Sequence, residues 1–178
     1  EEGRTVAILS RGYKRVKPPL ATRLKQQLKG QKQEEEPPTI VSTGSELLGD
    51  PAHAGDEPYM LARNLPGVAV VVDKDRVKAG RWAVREFSCD TLLLDDGLQY
   101  LKLRRKLDIV LVDRTAPFGN EYMLPRGTLR EPPRNLRRAS HIFLTKCDGS
   151  DNSEIISRIR RYNRTAAIIE CRHRPVHL

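Results

Sequence analysis

The chain has 178 residues, enough for a domain with a core of its own. Hydrophobic residues make up 38% and charged residues 31%, which fits a folded α/β protein and excludes a membrane-spanning one, since no run of about 18 apolar residues occurs. The net charge of +9 favours anionic partners (nucleic acid, phosphorylated ligands or an acidic membrane surface), while only 5% aromatic residues leave few platforms for stacking single-stranded bases.

Residues 5–10 (TVAILS) form a short apolar run, read as a buried strand, with Ser10-Arg11-Gly12-Tyr13 as the loop at its end. The chain enters this strand almost at once, without an initiator Met or a signal-peptide pattern, which predicts a truncated N-terminus. Residues 14–36 are polar and close on Pro37-Pro38, as in a charged surface insertion. A short strand is expected over 39–42. Residues 59–64 follow as a helix, started by Gly55-Asp56-Glu57-Pro58. VAVVV at 68–72 reads as a strand and 77–87 as a helix facing inward through Val77, Trp82, Val84 and Phe87. Three more strands are predicted: TLLL at 91–94, LDIVLV at 107–112 and HIFL at 141–144. A helix over 155–162 and a last strand over 166–170 complete the series. Near-continuous apolar strands alternating with helices predict a mostly parallel sheet with helices on both faces. Ligands of such sheets bind beyond the C-terminal strand ends, so the polar residues there matter most.

Four apolar positions run into Asp95-Asp96-Gly97, the Walker-B arrangement in which a strand-end carboxylate holds Mg²⁺ directly or through water. The same residues also suit an ordinary strand-to-loop turn. Asp56 lies where a carboxylate is either a helix cap or a general base for an attacking hydroxyl. Arg11 has the fork that pairs with phosphate oxygens, or is simply exposed. Residues 118–138 form a long, basic, Gly- and Pro-punctuated loop without strand or helix pattern until about Pro133. Arg126, Arg130, Glu131 and Asn135 are its notable polar groups. Thr145-Lys146-Cys147-Asp148 is similar to the base-reading Asn-Lys-x-Asp of GTP-binding proteins but differs at its first residue. Cys89, Cys147 and Cys171 show neither zinc spacing nor a disulfide framework, which points to a reducing compartment. The chain contains no Gly-x-x-x-x-Gly-Lys-[Ser/Thr] loop to cradle nucleotide phosphates.

Taken in order, ILSRGYKR, GDEPYMLARNLPGVAVVVDKDRVKAG, LLLDDGLQY, LDIVLVDRTAPFGN, LPRGTLREP and LTKCD resemble the tetraacyldisaccharide 4′-kinase family of lipid A biosynthesis. The resemblance runs from about Val6 to about Asp148. It implies a P-loop-NTPase-like fold whose phosphate-loop strand precedes this chain. It also implies ATP and Mg²⁺ as cofactors and transfer of phosphate to the 4′-hydroxyl of a tetraacyldisaccharide 1-phosphate. The implied location is peripheral, on the cytoplasmic face of the bacterial inner membrane, with the lipid A precursor and an anionic membrane surface as partners and no nucleic acid. Asp56 matches the catalytic carboxylate, Asp95 and Asp96 the Mg²⁺-associated pair, and Arg11, Tyr13, Gln99, Glu131 and Asn135 residues near substrate or nucleotide. Leu98 and Tyr100 stand where the family has Phe and His.

The expected organisation is a strand and SRGY loop over 1–16, a charged insertion over 17–50, the family core over 51–148 and the start of a C-terminal part over 149–178. As an internal piece without the phosphate loop, the isolated chain is expected to be inactive. Two rival readings are a basic nucleic-acid-binding module on an NTPase-like sheet and a degenerate, inactive NTPase-like protein.

Overall fold

A computed structural model describes residues 3–12 and 37–174. Tyr13 and the charged stretch at 14–36 lie outside the described residues, as does His177. The chain divides into two compact units, Glu1–Asp96 and Gly97–Leu178.

In the first unit, β1 (Val6–Ser10), β2 (Thr39–Thr43), β3 (Ala69–Val72) and β4 (Thr91–Leu94) make one sheet in the order β2-β3-β1-β4. β1 runs parallel to β3 and β4, and β2 is an antiparallel edge. The continuous apolar runs are explained by burial on both faces. Ala7, Leu9, Ala69 and Val71 pack with Ala79 and Ala83 of α3 (Arg76–Phe87). Ile8, Val41, Val70 and Val72 pack with Ala54 of α1 (Pro51–Ala54) and Ala62 of α2 (Asp56–Asn64).

Asp75 caps α3, its Oδ1 accepting from the Val77 and Lys78 amides at 2.9 and 3.2 Å. The inward face of α3 differs from the predicted one. Arg76, Ala79, Gly80 and Ala83 are buried and Phe87 packs partly against the core, but Val84 is 49% exposed. Small residues win because the helix lies close on the sheet: a Cβ on Gly80 would meet Leu92 Cδ1 at 3.1 Å. Bulk at those positions would push the helix off.

In the second unit, β5 (Ile109–Asp113), β6 (His141–Thr145) and β7 (Ala167–Glu170) form a wholly parallel sheet in that order. Val112, Ile142 and Leu144 face a core completed by Ile159 of α4 (Ser153–Tyr162), Leu136 of a 3₁₀ turn (Pro133–Arg138), and Phe118. The alternate residues Ile109 and Leu111 of β5 are exposed. Asn163, at the C-cap of α4, is buried and ties this unit together. Its amide donates to the Leu136 and Ala139 carbonyls, both at 2.8 Å, and its Oδ1 accepts from the Thr165 and Ala166 amides.

Candidate functional site

Parallel strands deliver their C-terminal residues to one end of a sheet, and the first unit gathers three there. Ser10 ends β1, Asp73 follows β3 and Asp95 follows β4. The backbone continues the ladder outward: the Asp95 amide donates to the Leu9 carbonyl at 3.1 Å and the Asp73 amide to the Ser10 carbonyl at 3.1 Å. The buried Ser10 hydroxyl donates to Asp95 Oδ2 at 2.9 Å, fixing that carboxylate where the strand stops. Asp96 then turns into the left-handed region, φ 50°, which Asp tolerates better than most residues. Arg11 is exposed directly after Ser10.

Asp56 reaches the same end of the sheet by topology. α2 packs on β3 and is joined to it by only four residues, so it runs back antiparallel to that strand. Nine helical residues span roughly 13 Å and a four-residue strand about the same. The helix N-terminus therefore stands level with the C-terminal end of β3. Asp56 is not the cap: Gly55 holds that position, φ 95°, and Asp56 is the first helical residue, exposed and without a hydrogen-bond partner among the described residues. An acidic first turn, Asp56 and Glu57, suits the positive end of the helix. The cap alternative drawn from the sequence does not hold, and the carboxylate is left facing solvent.

Three or more His, Cys, Asp or Glu side chains in metal-binding array do not occur among the described residues. Mg²⁺ does not need such a cage. It is commonly held by one or two carboxylates with phosphate and water completing an octahedron, and the chemistry of the strand-end carboxylates Asp95 and Asp96 fits such a donor set.

The second unit has its own strand-end cluster. Lys146 Nζ donates to Asp113 Oδ2 at 2.5 Å between the ends of β5 and β6. Lys146, and Thr115 through its hydroxyl and amide, hold the Asp113 carboxyl down at about 2. Asp148 is likewise held at about 2, first by the Ser150 hydroxyl and amide, and also by Arg114. Arg114 Nη1 donates to Asp148 Oδ2 at 3.2 Å and its Nε to Asn152 Oδ1 at 2.6 Å. Asp148 thus pairs within its own loop through one oxygen and with Arg114, after β5, through the other, which organises the strand end.

Glu131 and Asn135, expected near substrate, are brought together in this unit. Glu131 Oε2 accepts from Asn135 Nδ2 at 2.6 Å and from Arg138 Nη2 at 2.5 Å. The same Nη2 donates to the Leu98 carbonyl at 3.2 Å. Gln99, next in sequence, is exposed. Sequence reasoning missed Ser10, Arg114 and Arg138. Ser10 was legible as the last polar residue of an apolar strand, but Arg138 sits in a run of arginines with nothing to separate it from its neighbours.

Mostly parallel sheets layered with helices, with carboxylates at the strand ends, define an α/β protein. Residues 1–177 match the family of tetraacyldisaccharide-1-P 4′-kinases, LpxK. The tetraacyldisaccharide 4′-kinase of Anaeromyxobacter dehalogenans (strain 2CP-C) is 40% identical over 178 residues, 99% of this chain and 42% of that protein. That of Halothermothrix orenii is 36% identical over 181 residues, 100% of this chain and 43% of that protein. The crystal structure of LpxK from Aquifex aeolicus in complex with ATP superposes with a TM-score of 0.63 at 38% identity, covering 79% of this chain and 38% of that one. The chain belongs to the tetraacyldisaccharide 4′-kinase family, and it spans about two-fifths of the length of the curated relatives it matches.

Proposed function

We propose that this chain carries part of the apparatus by which a kinase moves the γ-phosphoryl group of ATP to the 4′-hydroxyl of a tetraacyldisaccharide 1-phosphate in lipid A biosynthesis. The observation that carries the reading is the strand end where Ser10 fixes Asp95, with Asp96 next to it and Arg11 directly after β1, in a member of this family; the helix start at Asp56 is read as reaching the same end from the chain's topology. The kinship with an ATP-bound LpxK supports ATP as the donor.

Asp56 takes the proton of the 4′-hydroxyl as its oxygen bonds to the γ-phosphorus. The bond from that phosphorus to the β,γ-bridging oxygen breaks, and ADP leaves with the electron pair. An exposed carboxylate at a helix start suits a base that must meet an incoming substrate. Asp95 and Asp96 are the residues that would hold Mg²⁺, which when bound supplies positive charge against the phosphate oxygens. Ser10 keeps Asp95 in place for that task. Arg11 would pair with phosphate oxygens from the end of β1, and Gln99 follows the Asp-Asp-Gly turn. Tyr13, Glu131 and Asn135 belong to the substrate or nucleotide region on this reading. Glu131 and Asn135 serve it by building the loop.

The acceptor is anchored by acyl chains and the donor is cytosolic, so the protein works as a peripheral protein on the cytoplasmic face of the inner membrane. No helix among the described residues is long and apolar enough to cross a membrane.

Asp56→Ala in the full-length protein tests the reading. Transfer to the tetraacylated acceptor falls about 10²–10⁴-fold with the melting temperature unchanged. Turnover close to wild type would remove Asp56 from the role of base.

A further inference from the structure

The loop at 118–130 presents an apolar tip. Tyr122, Met123 and Leu124 are 45%, 41% and 60% exposed, and all three lie side by side in sequence. The tip is held in shape by its own backbone. The Leu124 amide donates to the Leu129 carbonyl at 2.9 Å, the Leu129 amide to the Tyr122 carbonyl at 3.2 Å, and the Gly127 amide to the Met123 carbonyl at 2.9 Å. Only glycine fits at 127, because a Cβ there would collide with the Tyr122 carbonyl. Arg126 lies with its guanidinium 3.6 Å from the Tyr122 ring centre, placing a cation directly beside the apolar group. A loop that merely covered the core would turn these side chains inward; this one spends its hydrogen bonds on holding them out.

Charge is divided unevenly between the units. Residues 97–178 hold 17 Lys and Arg against 8 Asp and Glu, a net +9, whereas residues 1–96 hold 15 of each. The whole excess of the chain therefore lies in the unit that carries the apolar tip. Exposed apolar side chains with a cation beside them, in the unit that carries the net positive charge, are the two complementary features that bind a surface of anionic headgroups over hydrocarbon.

We infer that the Tyr122-Met123-Leu124 tip, with Arg126 beside it, is the surface through which this unit docks on an anionic phospholipid bilayer. The inference rests on the proposed function for its purpose: a substrate with four acyl chains stays in the bilayer, so its hydroxyl is met only at that surface. The apolar side chains enter the boundary between headgroups and acyl chains, and the arginines remain at the level of the phosphates.

The test uses the full-length protein, with Leu124→Trp read as the increment over wild type. Vesicles contain brominated phosphatidylcholine, with or without phosphatidylglycerol. The new tryptophan is quenched on the vesicles containing phosphatidylglycerol and much less on phosphatidylcholine alone. Val84→Trp, at an exposed position on α3, is not quenched. Met123→Asp combined with Leu124→Asp weakens binding to the phosphatidylglycerol vesicles about tenfold or more. Should Leu124→Trp fail to fold, Met123→Trp reads the same tip. Absence of quenching at both positions, equal quenching at Val84→Trp, or retention on nucleic acid with none on the vesicles overturns the docking surface. Fluorescence does not depend on turnover. Quenching without phosphoryl transfer would remove the kinase reading and keep the docking surface, and transfer without quenching would do the reverse.

Discussion

Arg138 offers a sharp test of how the loop containing Glu131 is built. Its Nη2 serves two acceptors, Glu131 Oε2 at 2.5 Å and the Leu98 carbonyl at 3.2 Å, while its Nε is buried with no partner. The Arg138 and Glu131 side chains are only 24% and 18% exposed, so water replaces little of what is lost when one is removed. Arg138→Met leaves the Glu131 carboxylate with Asn135 alone and takes a donor from Leu98. A charged hydrogen bond contributes about 1.5–3 kcal/mol, and stranding a fully buried charge costs about 3–5. Partial exposure and relief of the orphaned Nε pull the figure down, to about 2–3 kcal/mol. With a urea dependence of about 2 kcal/mol per molar, the unfolding midpoint falls by roughly 1–1.5 M. Arg138→Lys separates charge from shape. Both native contacts come from one nitrogen, and an ammonium has three donors, so Lys recovers about half of the loss. Equilibrium urea unfolding of wild type and both variants gives the answer. A Met variant within about 0.5 kcal/mol of wild type, or a Lys variant as weak as Met, would refute the clamp.

Two further outcomes follow from the second unit. Asp113 is held at about 2 by the Lys146 ammonium and by Thr115, below the ordinary carboxylate value of 3.8, so its contribution is complete above pH 4 and is lost as pH falls toward 2. Lys146→Ala raises the midpoint of the Asp113 carboxyl in a carbon-detected NMR titration, and an unmoved midpoint would show that Lys146 is not the main cause. Asn163→Ala removes five hydrogen bonds from a buried position and takes the side-chain donor from the Ala139 carbonyl, while the Leu136 carbonyl keeps the Ala139 amide. It costs about 3 kcal/mol in denaturant unfolding, and a loss under about 1 kcal/mol would mean that water replaces the side chain.

What the sequence disclosed and what it hid divide along a physical line. Every strand was legible because β1, β3 and β6 are apolar runs of four or five residues, and a run of that length ended by polar residues has few other readings. Helix faces were less legible. The pattern at 77–87 offers Val84 as an inward residue, and it points out, because close approach at Gly80 selects small residues and hydropathy does not measure clearance. Four-residue α1 left no periodic signal at all, being set by the Asp50 side chain accepting from the His53 amide. The same distinction runs through the candidate site. Asp95 and Asp96 stand out because two carboxylates closing an apolar strand violate the local pattern. The partners that orient such groups, Ser10 and Arg138, violate nothing: Ser10 is 85 residues from Asp95 and Arg138 is 40 from Leu98. A one-dimensional reading finds groups that are costly where they stand, and it misses inexpensive groups whose value comes from what the fold sets beside them. Asp56 lies between these cases. Its position at a helix start was readable, but whether it caps the helix or stands in its first turn depended on one residue of phase, and Gly55 at φ 95° decides it by taking the cap position.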